Sequence, residues 1–415
     1  MDTSLLDTEL QLKKLAELQE QLALKNVQLD AVLQLTQAIN YNFSNAALFE
    51  IYGYLLSTEL RIGRFLLYIE EGDWRKYGSK GIGAERFAER PNLFKGCQQI
   101  KSLDAEMQQH YPGFDVLIPV VYKQQPLAYV LIGGFDWPLE SRKDLFQYIQ
   151  AVSNILAVAN ENRKLFQQQI QQQKIQQELS LAAQMQGLLI PDALPHDDQI
   201  EMSAVYLPHR DVGGDYYDVV KFDTGELVFC VADVSGKGIP AALLMSNFQA
   251  NLRALIHFHP NLRNLVAALN KAVLNITKGD KFITLFIGKL DPRTGLLKYI
   301  NAGHVPPYLL RQGELQELKE GTTILGMFDE LPFLQVGKLQ MVPGDVLMTY
   351  TDGVTEVDDY RGRAFDMKQL GGALAPQANE RLQTANKRVL DALIKFKGDR
   401  HFSDDLTMLS LRYQG

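Results

Sequence analysis

The spacing of apolar positions changes along the chain, and each change marks a different kind of element. Over residues 5 to about 40, Leu15, Leu22 and Leu29 recur every seven positions, with Leu18 and Val32 in the complementary row. A repeat near 3.5 predicts a helix and suits a short coiled coil. Lys25 interrupts the second row, so the stretch also reads as a lone amphipathic helix packed on its own domain. From 41 to about 140 the pattern shortens. A helical run (Ala46 to Leu60) precedes the strand-like Arg64 to Glu70, and loops rich in Gly and charge follow. Asp115 to Tyr122 and Leu127 to Phe135 then read as a hairpin around Lys123-Gln124-Gln125. Strands flanked by helices in so short a stretch predict a small α+β domain.

Ser141 to about Leu189 reads as one long helix, striped by Leu145, Ile149, Val152 and Leu156. The stripe thins over residues 167 to 179, which hold eight glutamines and only Ile170, Ile175 and Leu179 as apolar positions. Glutamine favours helix but buries poorly. The segment therefore reads either as a solvated spacer or as a signalling helix with contacts weak enough to shift. Pro191 and Pro195 end it. In residues 196 to 415, strand-like runs (Leu227 to Asp233, Ile283 to Leu290, Leu296 to Asn301, Asp345 to Thr351, Leu406 to Tyr413) alternate with helical ones (Pro240 to Ile256, Leu262 to Thr277, Ala378 to Lys397). Two sheets with helices outside them suit this order.

Composition narrows the partners more than the fold. At 46% hydrophobic and 22% charged, the 415 residues read as an ordinary globular chain of two or three domains. Lys plus Arg is 42 against Asp plus Glu at 49, a net charge of −7, which argues against nucleic acid or anionic membrane as the main partner. Cys97 and Cys230 are too few for a disulfide framework and show no zinc spacing. The first residues lack the basic start and apolar run of a signal peptide, and no window approaches a spanning helix. A cytoplasmic location is expected.

The chemistry lies in carboxylates placed where apolar strands meet small-residue turns. Asp215 and Asp218 sit in Val212-Gly-Gly-Asp-Tyr-Tyr-Asp218, and Asp233 opens Asp233-Val-Ser-Gly-Lys-Gly238. Asp352 opens Asp352-Gly-Val-Thr-Glu356, and Asp404 and Asp405 precede Leu406 to Leu411. A single such Asp is ordinarily a turn former or helix cap. Several gathered at one edge of a core would repel and raise one another's pKa values. Hard divalent cations relieve that repulsion, and a pair of them can activate water against a phosphoryl group.

The ordered motifs VGGDYYD, VADVSGKGIPAALLM, INAGHVPPYLL, YTDGVTE and SDDLTML resemble the metal-dependent PPM-type serine/threonine phosphatases, in particular the bacterial branch containing RsbU and SpoIIE. Leu179 to Pro195 is similar to the segment leading into that branch's catalytic domain. The resemblance implies a C-terminal α/β-β/α sandwich at 196–415. The helix–strand–hairpin–helix order of 41–160 resembles a GAF sensor domain. An N-terminal helix or coiled coil (1–40) and a helical signalling linker (161–195) complete the expected α+β organisation.

By motif, the resemblance implies that Asp215 and Asp404 each hold one of two Mn2+ or Mg2+ ions. Asp233 would bridge both, Val234 would offer its backbone carbonyl, and Asp352 would bind from the opposite strand end. Asp218, Glu356 and Asp405 would support the ligands, although Asp405 reads equally well as a turn residue. Where eukaryotic relatives place a His acid two residues after the bridging Asp, this chain has Ser235. His304 is the motif-borne alternative, or else bonds only its own Gly-Pro turn. Arg210, five residues before Asp215, has the spacing of a phosphate-binding Arg. Lys237 lies in a loop that lacks P-loop spacing, so it reads as an anion-steering or solvated charge.

The expected function is a regulated phosphoserine/phosphothreonine protein phosphatase in which a metal-bridging hydroxide attacks phosphorus. The family resemblance points to a STAS-type anti-sigma-factor antagonist as substrate. Homodimerisation through the helical segments and an unknown input to the GAF-like domain are also expected. Two other readings stay open: a non-catalytic phosphoprotein-binding adaptor and a metal-dependent hydrolase of small phosphate esters.

Overall fold

The computed structural model describes residues 3–70, 74–83, 87, 92–94, 96–122, 125–135, 142–365, 367–374 and 380–415. They form two compact units, Met1–Gln173 and Lys174–Gly415. In the first, α1 (Thr3–Asn40) is followed by α2 (Asn45–Tyr54), whose start is capped by the Ser44 hydroxyl accepting the Ala47 N–H. The helix then widens over Leu55–Glu59 into a turn that closes through Leu60 N–H onto the Leu55 carbonyl. Strands β1 (Arg64–Glu70), β2 (Trp74–Lys80), β3 (Lys101–Ser102), β4 (Val116–Tyr122) and β5 (Gln125–Gly133) form an antiparallel sheet in the order β2-β1-β5-β4-β3. The short helix α3 (Ala105–His110) lies between β3 and β4 in sequence, and α4 (Arg142–Gly187) follows β5.

Side chains alternate across a strand, so the sheet has two faces. Phe65, Leu67 and Ile69 of β1 pack with α2 and with Leu145, Ile149, Val152 and Leu156 of α4. Leu66 and Tyr68 enter a second cluster rich in aromatics, including Phe94, Tyr111, Phe114 and Tyr129. Ala31, Leu35 and Ala38 of α1 belong to the first cluster. The second half of α1 is therefore part of this unit's core. Of the proposed coil positions, Leu15, Leu18, Leu22 and Leu29 are exposed, whereas Val32 packs against the core. The β4–β5 hairpin forms as expected, with Tyr122 opposite Gln125. Its turn residues Lys123 and Gln124 lie outside the described residues, as does the expected helix start at 378–379.

The second unit contains β6 (Ile200–Leu207), β7 (Tyr216–Lys221), β8 (Leu227–Val234), α5 (Ile239–Leu255), α6 (Leu262–Thr277), β9 (Ile283–Asp291) and β10 (Leu296–Ala302). It continues through β11 (Tyr308–Arg311), β12 (Glu314–Glu317), β13 (Gly321–Thr322), β14 (Gly337–Gln340) and β15 (Val346–Tyr350). Helices α7 (Asp352–Thr355), α8 (Met367–Leu374) and α9 (Leu382–Lys397) precede β16 (Leu406–Tyr413). One sheet runs β13-β10-β9-β8-β7 with β14 paired to β10, and the other runs β12-β11-β15-β16-β6.

Alternation explains the layering. Phe229 and Val231 of β8 meet Leu409 and Leu411 of β16 between the sheets. Val228, Cys230 and Ala232 face α5 and α6 on one outer side, and Leu406 and Met408 face α9 on the other. The result is helix, sheet, sheet, helix, as expected from the family resemblance. Among the described residues no helix is long and apolar enough to cross a membrane.

Phe286 is fully buried between the sheets, with its ring 5.7 Å from that of Tyr299. Phe286→Ala should cost about 3–5 kcal/mol of stability, read as a lower denaturant midpoint for the second unit. An unchanged midpoint would contradict the packed inter-sheet layer.

Candidate metal centre

Antiparallel register gathers the carboxylates. Strand β7 pairs with β8 with Tyr216 opposite Ala232, so the residue before β7, Asp215, comes beside Asp233 near the end of β8. Strand β15 pairs with β16 with Tyr350 opposite Met408, and the pairing extends through Thr351 N–H to the Thr407 carbonyl. Asp352, just after β15, is thereby brought to Asp404, just before β16. A Cβ at residue 353 would lie 1.9 Å from the Asp405 carbonyl oxygen, so only glycine lets α7 start this close to β16. After β8 the chain turns sharply, with Gly238 at φ 72° before α5 and Pro240 in that helix's first turn.

Asp352, Glu356 and Asp404 each place a carboxylate oxygen within 4.8 Å of the others. Asp215 is only 2% exposed, and its Oδ2 accepts from the hydroxyls of Thr351 at 2.7 Å and Thr407 at 2.6 Å. Burial, then the Asp233 charge, pushes the Asp215 carboxyl well above its ordinary value. Burial and the charges of Asp352 and Asp404 push Asp233 up to about 7. Asp352 is raised by burial and by Glu356 and Asp404. These are the marks of several negative groups sharing one space. Oxygen-only donors of this kind fit hard divalent ions such as Mg2+ or Mn2+.

The other candidates separate. Glu356 stands within the carboxylate cluster, with Asp352 and Asp404. Asp218 does not join the cluster. It is bound by the Arg253 guanidinium at 2.6 and 2.5 Å and by the Tyr216 hydroxyl at 2.5 Å, so it ties β7 to α5 instead. Asp405 accepts from His209 N–H at 2.7 Å and Gly214 N–H at 2.6 Å, which makes it the organiser of the loop before Asp215. The Val234 carbonyl oxygen faces that loop, 3.0 Å from where a Cβ at Gly214 would stand. Arg210 is exposed on the loop. Ser235 is spent on its turn, its Oγ accepting from Phe282 N–H.

His304 is buried, with Nδ1 2.8 Å from the Thr284 hydroxyl, and Thr284 lies opposite Asp233 across β8 and β9. Burial lowers its pKa to about 4, so the ring is neutral near pH 7 and is not a cationic acid. Two features escaped the sequence reading. The threonines of YTDG and DDLT hold Asp215, and Lys237 bonds Asp404 Oδ2 at 2.6 Å and the Ser403 carbonyl at 2.9 Å. Thr351 and Thr407 each adjoin or nearly adjoin a candidate ligand, which is the signal that was available. A cavity of about 930 Å³, lined by Tyr360, Phe365, Phe396 and Arg400 among others, contains none of the cluster carboxylates.

Residues 223–414 match the family profile described as Stage II sporulation protein E (SpoIIE). The chain is 29% identical over 245 residues to the phosphoserine phosphatase RsbU of Bacillus subtilis, covering 58% of this chain and 71% of that protein. It is 27% identical over 287 residues to protein IcfG of Synechocystis sp., covering 62% of this chain but only 45% of that relative. The SiaA-PP2C domain of Pseudomonas aeruginosa shares the fold at TM-score 0.53 and 22% identity, over 59% of this chain and 98% of that one. Residues 223–414 thus resemble the SpoIIE family, the chain resembles the phosphatase RsbU, and the C-terminal unit has the PP2C fold.

The raised carboxyls give stability a definite pH dependence. From the ordinary Asp value of 3.8 to about 7, the native metal-free site binds more protons than the unfolded chain. Stability therefore falls as pH rises through that window. The metal-free protein should have a lower denaturation midpoint at pH 8 than at pH 5, with a smaller difference in Asp233→Asn. Equal midpoints at both pH values in the parent protein would contradict the assignment.

Proposed function

We propose that this chain is a regulated, metal-dependent serine/threonine protein phosphatase acting on a phosphorylated STAS-type anti-sigma-factor antagonist. The observation that carries the reading is the convergence of Asp215, Asp233, Asp352 and Asp404, with Glu356, at the ends of strands from both sheets. The likeness to the phosphoserine phosphatase RsbU supports a phosphoserine substrate, and the STAS class follows from the family resemblance alone. Two Mn2+ or Mg2+ ions would supply charge neutralisation, polarisation of the phosphoryl oxygens and a water acidic enough to act as nucleophile.

The chain's own residues divide the remaining work. Asp233 lies between Asp215 and the Asp352–Asp404 pair and is the group suited to bridge two cations. The Thr351 and Thr407 hydroxyls orient Asp215 so that one oxygen stays fixed while the other is left for a metal. The Val234 carbonyl adds a neutral oxygen. Arg210, on the loop leading to Asp215, is suited to hold the phosphate by two parallel N–H donors. Neutral His304 positions Thr284 beside Asp233.

The first unit supplies the input through its GAF-like sheet. Exposed Leu15, Leu18, Leu22 and Leu29 form an apolar seam suited to pair α1 with a second copy.

Mn2+-dependent dephosphorylation of a phosphoserine STAS protein tests the activity. Loss of groups that merely support metal ligands costs 10–100-fold, so Asp233→Asn and Asp352→Asn should lose about 100-fold or more while staying folded. Equal activity in the parent and both variants would refute the metal assignment. Light scattering tests the seam: the parent chain should be a dimer, and the double variant Leu22→Glu/Leu29→Glu a monomer. A monomeric parent chain would contradict it.

A further inference from the structure

Around the C-terminal end of α4 the usual pattern of burial is inverted. Leu181, Met185 and Leu188 are 60%, 59% and 71% exposed, yet the polar Gln186 among them is 7% exposed. A buried amide carries a cost unless its donors and acceptor are used. Gln186 uses both on one residue: Nε2 donates to the Gly213 carbonyl at 2.7 Å, and Oε1 accepts the Gly213 N–H at 3.1 Å. The carboxamide thus pairs with Gly213 much as a neighbouring strand would.

Gly213 stands two residues before Asp215, in a loop without helix or strand between β6 and β7. The loop is also held by Asp405, which takes the N–H groups of His209 and Gly214. A Cβ at Gly213 would lie 2.6 Å from Asp405 Oδ2 and 2.9 Å from the Tyr206 hydroxyl. The Gly-Gly pair is therefore gripped between the end of α4 and the residue next to Asp404. Gln176, further back on α4, adds a bond from Nε2 to Asp211 Oδ1 at 3.0 Å.

We propose that Gln186 is a positioning residue of the metal centre, fixing the Gly213 backbone and through it the place of the Asp215 carboxylate. The inference rests on the metal-dependent reading above and adds a group that no motif of the five contains. Gln186 reaches no metal or substrate itself. Its effect is to hold Asp215 in place beside Asp233, so that site geometry does not have to be created when a cation arrives.

The test uses the full chain and reads metal affinity rather than turnover. Gln186→Met keeps helix propensity and side-chain length but loses both bonds, while Gln186→Glu keeps an acceptor for the Gly213 N–H and loses the donor. Calorimetric titration with Mn2+ should give a dissociation constant at least tenfold weaker for Gln186→Met, with Gln186→Glu between it and the parent. The KM for p-nitrophenyl phosphate at saturating Mn2+ should move by less than twofold. Should Gln186→Met fail to fold, Gln186→Glu alone carries the comparison. A lower melting temperature with unchanged Mn2+ affinity in the variants would overturn the inference and leave Gln186 a structural residue. A parent chain that binds no Mn2+ would overturn the metal-centre reading, and this inference with it.

Discussion

The physical constraint on which the catalytic unit depends is electrostatic repulsion accepted at the end of a well-packed core. Asp215 and Asp233 lie side by side in a site where burial alone already opposes ionisation, and Asp352 and Asp404 crowd the same space. Nothing in the hydrophobic layering requires this arrangement. Leu, Val and Phe side chains between the sheets would pack equally well with neutral turns at the strand ends. The carboxylates are a feature added to the fold at a stability cost that a divalent cation would remove.

The rest of the unit can be read as the means of holding that unfavourable arrangement. The antiparallel pairings β7–β8 and β15–β16 bring two carboxylates together from each sheet. Paired threonine hydroxyls fix Asp215, and Asp405 and Gln186 grip the irregular loop before it. Lys237 partly compensates Asp404. Each is a short-range polar contact on a backbone already fixed by apolar alternation, which is why small side chains and glycines cluster at this edge.

Much of this was legible in the sequence, for identifiable reasons. The strands carrying Asp233 and Asp352 are continuous apolar runs, so both their existence and their ends could be read to within a residue or so. Leu262–Thr277 showed its helical stripe and appears with the expected bounds. Strand β7, Tyr-Tyr-Asp-Val-Val-Lys, was hidden because Asp218 interrupts its apolar character, and the Arg253 partner that makes burial tolerable is 35 residues away. The motif alone could not show that Asp218 pairs with Arg253. Short strands β11 to β14 gain their order from neighbours rather than from their own pattern. In α1, the heptad leucines were visible, but the opposite face of Ala31, Leu35 and Ala38 decided that the helix belongs to the first unit's core. Gln186 was masked by a glutamine-rich helix in which most glutamines are exposed.

The central claim is that buried, proton-bearing carboxylates await divalent cations, and proton release on metal binding tests it most directly. Calorimetric Mn2+ titration of the full chain at pH 6 in buffers of different ionisation enthalpy counts the protons displaced. With Asp233 held at about 7, Mn2+ binding should expel at least about one proton at pH 6, with the Asp233 share falling away by pH 8. Binding with no proton release at pH 6, or no Mn2+ binding at all, would contradict the account.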